Sequence, residues 1–167
     1  MEYLNNTLNT NYKLPSYDKP TLYTRFSGDM NMVLKMMTLL PNDLEIDYKY
    51  SFESNNQVCH GYIDKYNFKI KNCEMKDIPD MVSFSPQYMI NKESLNSDKL
   101  LLLCDSFATA NSKFYNRVFN TIWMIHHNFI NGKELKQFVM KNKPDIVIYQ
   151  IIERELYNQK IIKSLDG

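Results

Sequence analysis

Leu100-Leu101-Leu102-Leu103-Cys104, with Asp98-Lys99 before it and Asp105-Ser106 after it, is a continuous aliphatic run closed at both ends by charge. A half-exposed strand would alternate apolar with polar residues. An unbroken run of this length reads as a strand buried on both faces, as in the interior of a parallel sheet. The remainder of the chain repeats the theme. Residues 109–118 have helical spacing, with Phe114 and Val118 on one side, and Thr121-Ile122-Trp123-Met124-Ile125 reads as the next strand. After Gly132, the positions Leu135, Phe138 and Val139 mark an amphipathic helix with lysines outside. Lys143-Pro144-Asp145 then introduces a third buried strand, Ile146-Val147-Ile148-Tyr149, and residues 152–163 close the chain as a helix. Strand and helix in alternation predict an α/β fold: a three-layer α/β/α domain on a mainly parallel sheet, with right-handed crossovers.

Upstream the pattern differs. Residues 1–24 are rich in Asn and Tyr and carry Pro15 and Pro20, which predicts an extended arm. Ser27-Gly28-Asp29 opens a helix that Asp29 can cap, with Met30, Val33, Leu34 and Met37 at helical spacing and Pro41 at its end. Residues 46–98 read as a small antiparallel β insertion. Ile46–Tyr50 and Tyr66–Ile70 alternate as half-exposed strands do, and residues 77–98, with Pro79 and Pro86, form a long connection. One domain is expected over residues 25–167, with this insertion inside it.

The chain has 167 residues, 44% of them apolar and 23% charged, which suits one globular domain. Twenty Lys and Arg against nineteen Asp and Glu leave a charge of +1, so no global field attracts nucleic acid or an anionic membrane. The four glycines (Gly28, Gly61, Gly132, Gly167) assemble neither a phosphate-binding P-loop nor a dinucleotide-binding turn. No apolar run approaches the ~20 residues that cross a bilayer, and the polar start does not read as a secretory signal. Cys59, Cys73 and Cys104 show no CxxC spacing, so neither a metal nor a cofactor is expected. Cys104 reads as a small buried hydrophobe, whereas Cys59 and Cys73 flank a strand-like region and can pair if oxidised. His60 stands beside Cys59 without two further ligands at usable spacing.

Ligands of an open parallel sheet bind beyond the carboxyl ends of its strands. Asp105 and Ser106 fall there. Ser106 can present its hydroxyl as a nucleophile, with free backbone N–H groups at the N-terminus of the following helix as an oxyanion site, or the pair can simply cap that helix. His126 and His127 fall at the same edge one strand away. Either can be the base, though neighbours on a strand point to opposite faces, so at most one reaches the serine. The competing reading makes them solvent-facing loop residues. Arg154, after Glu153, can bind a substrate carboxylate or form an ion pair with Asp105 or Asp145.

The block Leu100–Ala108, with Ser27-Gly28-Asp29-Met30 before it and Lys143-Pro144-Asp145-Ile146-Val147-Ile148 and Glu153-Arg154 after it, resembles the SGNH-hydrolase-like family of bacterial polysaccharide O-acetyltransferases of the alginate type. The resemblance implies a serine-dependent O-acetyltransferase or esterase of the cell envelope. Ser106 would carry the acetyl group from a donor to a sugar hydroxyl of a polysaccharide. The family takes its base from an upstream Asp-x-His-Trp motif that this chain lacks, and Cys104 stands where it usually has Gly. The chain then reads either as the C-terminal portion of a longer protein, with a second copy or the missing portion covering the sheet edge, or as an inactive remnant that binds glycan or protein. The family works outside the cytoplasmic membrane; a chain starting at Met1 without a signal would be cytoplasmic.

Overall fold

The computed structural model describes residues 11–13, 21–25, 43–47, 57–64, 67–77 and 85–152. The chain divides into two compact units, one of which is Pro15–Phe52. Within that smaller unit, β1 (Thr21–Arg25) pairs antiparallel with β2 (Asp43–Asp47) in a two-stranded sheet. The helix expected from Asp29 onward and the closing helix beyond residue 152 lie outside the described residues.

The larger unit is built on one six-stranded sheet. Its strands are β3 (Gln57–Tyr62), β4 (Glu74–Asp77), β5 (Gln87–Ile90), β6 (Asn96–Cys104), β7 (Phe119–His126) and β8 (Ile146–Gln150), in the order β4-β3-β5-β7-β6-β8. The aliphatic run is the second half of β6, and Leu100 to Cys104 are all at most 2% exposed. β6 runs parallel to β7 on one side and β8 on the other. The other three pairings, β7 with β5, β5 with β3 and β3 with β4, are antiparallel.

This corrects the expectation of a mainly parallel sheet with a separate antiparallel insertion: the sheet is mixed and mostly antiparallel, with two α-helices among the described residues. The physical reason lies in β5. It is four residues long, bounded by Pro86 and Asn91, and too short to show a period. Yet it is hydrogen-bonded on both sides and its first three residues are buried, so it fuses the middle of the chain to the parallel strands.

Two further expectations change. Residues 67–70 form a turn rather than a strand: Phe68 N–H donates to Asp64 O (2.8 Å), Lys69 N–H to Asn67 Oδ1 (2.9 Å), and Phe68 has φ 51°. The short polar side chains give the backbone local partners that compete with a ladder. β8 is an edge strand among the described residues, and Val147 is 46% exposed. Apolar composition alone does not separate an edge from a centre.

Each face of the sheet carries its own core. On one, Val58, Met89, Leu100, Leu102, Cys104, Ile122 and Met124 pack with Val118 and Phe119, while Phe114 and Tyr115 of helix α1 (Ser112–Val118) close over them. Tyr12 joins this face, its ring edge-on to Phe119 and its hydroxyl donating to Asp98 Oδ2 at 2.7 Å. On the other face, Leu101, Leu103, Trp123 and Ile125 meet Leu135 and Phe138 of helix α2 (Gly132–Asn142). Asn131 and Glu134 form a capping box that starts α2, and Lys143 in the left-handed region ends it.

Cys59 on β3 and Cys73 just before β4 are joined as a disulfide with a Cα–Cα distance of 5.3 Å. β4 is exposed at most of its positions and pairs only with β3 among the described residues. The disulfide closes 14 residues, a loop whose closure entropy contributes ~3 kcal/mol. A Cys59→Ser/Cys73→Ser protein is therefore expected to unfold in urea with stability reduced by ~2–4 kcal/mol. A reduction below ~0.5 kcal/mol would show that this bond carries no part of the stability.

Candidate functional site

Three parallel strands deliver their carboxyl ends to one edge. Cys104 closes β6 and is paired with His126 at the end of β7 and with Gln150 at the end of β8. Asp105 and Ser106 come directly after Cys104. Ser106 is exposed and opens a 3-10 turn, Ser106–Asn111, that runs into α1. The bend lies where the end of the apolar run places it.

Asp105 is 5% exposed, and each of its polar groups bonds to backbone. Oδ1 accepts from Phe107 N–H at 2.9 Å and Oδ2 from Ile152 N–H at 2.6 Å. Its own N–H donates to Gln150 O (3.3 Å) and its carbonyl accepts from Ala108 N–H (3.4 Å). The carboxylate therefore binds the bend and orients no histidine. The N–H groups of Phe107 and Ala108, at the start of the segment that follows Ser106, are thus directed to Asp105.

Cys104 places its side chain in the core rather than against the bend. Burial, followed by the Asp105 charge, pushes its thiol up to about 12, so it stays protonated at neutral pH. Tyr115 of α1 reaches the same edge and donates to Gln150 Oε1 at 3.1 Å; burial raises its pKa first, with Cys104 adding to the shift.

Neither histidine is a solvent-facing loop residue: His126 is 8% and His127 5% exposed. Their rings stack at 4.9 Å with 22° between planes. A backbone N–H sets the tautomer of His126, whereas the contact of His127 admits either. His126 Nδ1 accepts from Asn128 N–H at 3.2 Å, so in neutral His126 the proton sits on Nε2, and that nitrogen has no lone pair for a hydroxyl proton. His127 Nδ1 lies 3.4 Å from the Tyr149 hydroxyl, an arrangement in which Nδ1–H can donate and leave Nε2 open. Sequence reasoning missed Tyr149 and Asn128, because a tyrosine inside an apolar strand and an asparagine in a turn carry no signal of their own.

His60 is not brought to this edge. It lies on β3, in register through Met89 and Ile122 with Leu100, three strands from β6. Gln87 Nε2 donates to Ser85 O, which turns Gln87 Oε1 toward His60, and His60 Nε2–H donates to it at 2.8 Å. Burial lowers the His60 pKa, which keeps the ring neutral. Asp145 sits at the opposite end of β8, where Oδ2 accepts from Lys99 N–H at 2.8 Å. Glu153 and Arg154 lie outside the described residues. Among the described residues no three His, Cys, Asp or Glu side chains gather to hold a metal ion, and no helix is long and apolar enough to cross a membrane.

No protein-family model matches the chain. One curated relative, transcription initiation factor IIB of Methanocaldococcus jannaschii, is 26% identical over 158 residues, which is 83% of this chain but 24% of that protein. Two solved structures share the fold. A DHHW family protein from Eubacterium siraeum superposes with a TM-score of 0.59 at 15% identity, covering 89% of this chain and 52% of its own. Bacillus cereus PatB1 with a sulfonyl adduct superposes with a TM-score of 0.58 at 13% identity, covering 92% of this chain and 55% of its own. The chain thus spans about half the length of these structures. The resemblance to the SGNH-hydrolase-like alginate-type family is corrected by these findings, because the structural neighbours are a DHHW family protein and PatB1. At these identities the likeness establishes a shared fold.

Proposed function

We propose that the chain carries a serine-based acyl-transfer site, with Ser106 as the nucleophile and His127 as its base. The observation that carries this reading is an exposed serine at the bend closing the central parallel strand, with a buried histidine pair delivered to the same edge by the neighbouring strand. A serine hydroxyl is a weak nucleophile until a base takes its proton. His127 Nε2 is the nitrogen that can take it when Nδ1–H donates to Tyr149. Ser106 Oγ then attacks the carbonyl of an ester, the alcohol leaves with a proton returned by His127, and the acyl-serine is resolved by a second hydroxyl, of a sugar or of water. The PatB1 structure with a sulfonyl adduct supports this chemistry, since sulfonyl groups attach to activated nucleophiles. The Cys59–Cys73 disulfide favours an oxidising compartment as the place of work.

A second reading has its own observation. The Asp105 carboxylate is committed to backbone and the Phe107 and Ala108 N–H groups to Asp105, which favours a module that binds a glycan or a protein chain without turnover.

Treatment with phenylmethylsulfonyl fluoride separates the two. The expected result is one sulfonyl group per chain, mapped to Ser106 by peptide mass spectrometry. His127→Ala is expected to slow labelling by ~10²–10⁴-fold, and His126→Ala by much less. An unlabelled Ser106 supports the binding module, and equal labelling of wild type and His127→Ala removes His127 as the base.

A further inference from the structure

We infer that Asp105 is a positioning residue that sets the direction of the Ser106 hydroxyl by fastening the bend to the chain that leaves β8. The inference rests on the acyl-transfer reading and adds to it a determinant of rate that touches no reacting atom.

Asp105 closes a ring around the nucleophile. Its Oδ1 accepts from the N–H two residues on, so the ring of atoms from that carboxylate to Phe107 N encloses one residue, and that residue is Ser106. This is an Asx-turn, in which a side-chain oxygen takes the place of a backbone carbonyl and fixes the dihedrals of the enclosed residue. The second oxygen reaches across 47 residues to Ile152 N–H at 2.6 Å. The Asp105 N–H adds a third tie to the same segment through Gln150 O. A side chain that joined only its own turn would let the bend rock as a unit. One that also grips the exit of the neighbouring strand fixes the bend against the sheet.

Charge matters at this spot. A carboxylate accepts from both N–H groups at once, and hydrogen bonds to a charged acceptor are about twice as strong as neutral ones. Asparagine is the same shape but offers one acceptor. With its oxygen on Phe107 N–H, its NH2 faces Ile152 N–H, donor against donor. Asp105→Asn therefore keeps the Asx-turn and releases the tie to β8. Loss of ~1 Å of placement at a reacting atom costs on the order of 10²-fold in rate.

The test measures acylation by p-nitrophenyl acetate and labelling by phenylmethylsulfonyl fluoride in wild type, Asp105→Asn, Asp105→Ser and Ser106→Ala, all held well below their melting temperatures. For Asp105→Asn we expect kcat and the labelling rate at Ser106 to fall ~30–100-fold, with KM changed less than about 3-fold and the pH profile of the remaining activity unshifted. Asp105→Ser, whose hydroxyl can also accept from Phe107 N–H, is expected to fall at least as far and serves if the asparagine protein does not fold. Labelling of Asp105→Asn or Asp105→Ser at the wild-type rate overturns the inference while leaving the nucleophile in place, even if the melting temperature has dropped. A wild type that is neither acylated nor labelled at Ser106 overturns the acyl-transfer reading, and the inference with it. A shifted pH profile in Asp105→Asn also overturns the inference, since it would make the carboxylate a partner in proton transfer.

Discussion

Ser106→Ala is expected to reduce turnover of p-nitrophenyl acetate by at least ~10³-fold, to the rate of an unrelated protein at the same concentration. The size reflects the chemistry. Covalent catalysis needs the oxygen that becomes acylated, and the substitution removes it. Cys104 is the only other thiol or hydroxyl within two residues of Ser106, and its thiol is buried with a pKa raised to about 12. Because Ser106 is exposed, the substitution is expected to leave stability within ~0.5 kcal/mol, so lost turnover cannot be blamed on unfolding. Equal rates in wild type and Ser106→Ala, measured by release of p-nitrophenol, would remove Ser106 from catalysis and favour the binding module.

The largest effect on the fold is expected from Leu102→Ala. Leu102 is 0% exposed, lies mid-strand on β6, and faces Met124 on β7 and Ile148 on β8 in register. Hydrogen-bonded strands on both sides leave the surroundings little room to collapse. The cost combines the lost transfer energy with the cavity left behind, ~3–5 kcal/mol by urea unfolding. Val147→Ala is the matched control: at 46% exposure on the edge strand it is expected to cost less than ~1 kcal/mol. Costs of similar size at the two positions would contradict β6 as the centre of the parallel group and β8 as its edge.

His126 and His127 show how a site can be visible in sequence and still misread. Their place at the end of a strand was legible from the apolar run before them. Their burial was not, because it depends on the stack of one ring on the other, on Phe129 beside His126 and on Tyr149 beside His127. The tautomer of His126 was still further out of reach, since it is set by one backbone N–H two residues on. Asp105 was legible as a polar residue at a strand end, but its partner Ile152 is 47 residues away. The sequence-based family resemblance failed for a related reason. Short blocks around strand ends recur wherever a sheet hands over to a turn, and they do not report how the other strands are ordered.

Local composition was enough to place the strands β6, β7 and β8 and the helix α2, because a bounded apolar run and a 3.6-residue period are properties of a single segment. It was also enough to end β6 before Ser106, since the change from Cys104 to Asp105-Ser106 is the end of the apolar run. Three outcomes waited on the assembled chain: the middle segment joins the same sheet antiparallel through a four-residue β5, β8 is an edge among the described residues, and Cys59 meets Cys73. Those outcomes depend on which backbone edge finds which partner. Backbone N–H and C=O groups are the same in nearly every residue, so the side chains of one segment do not announce the neighbour its edge will bind.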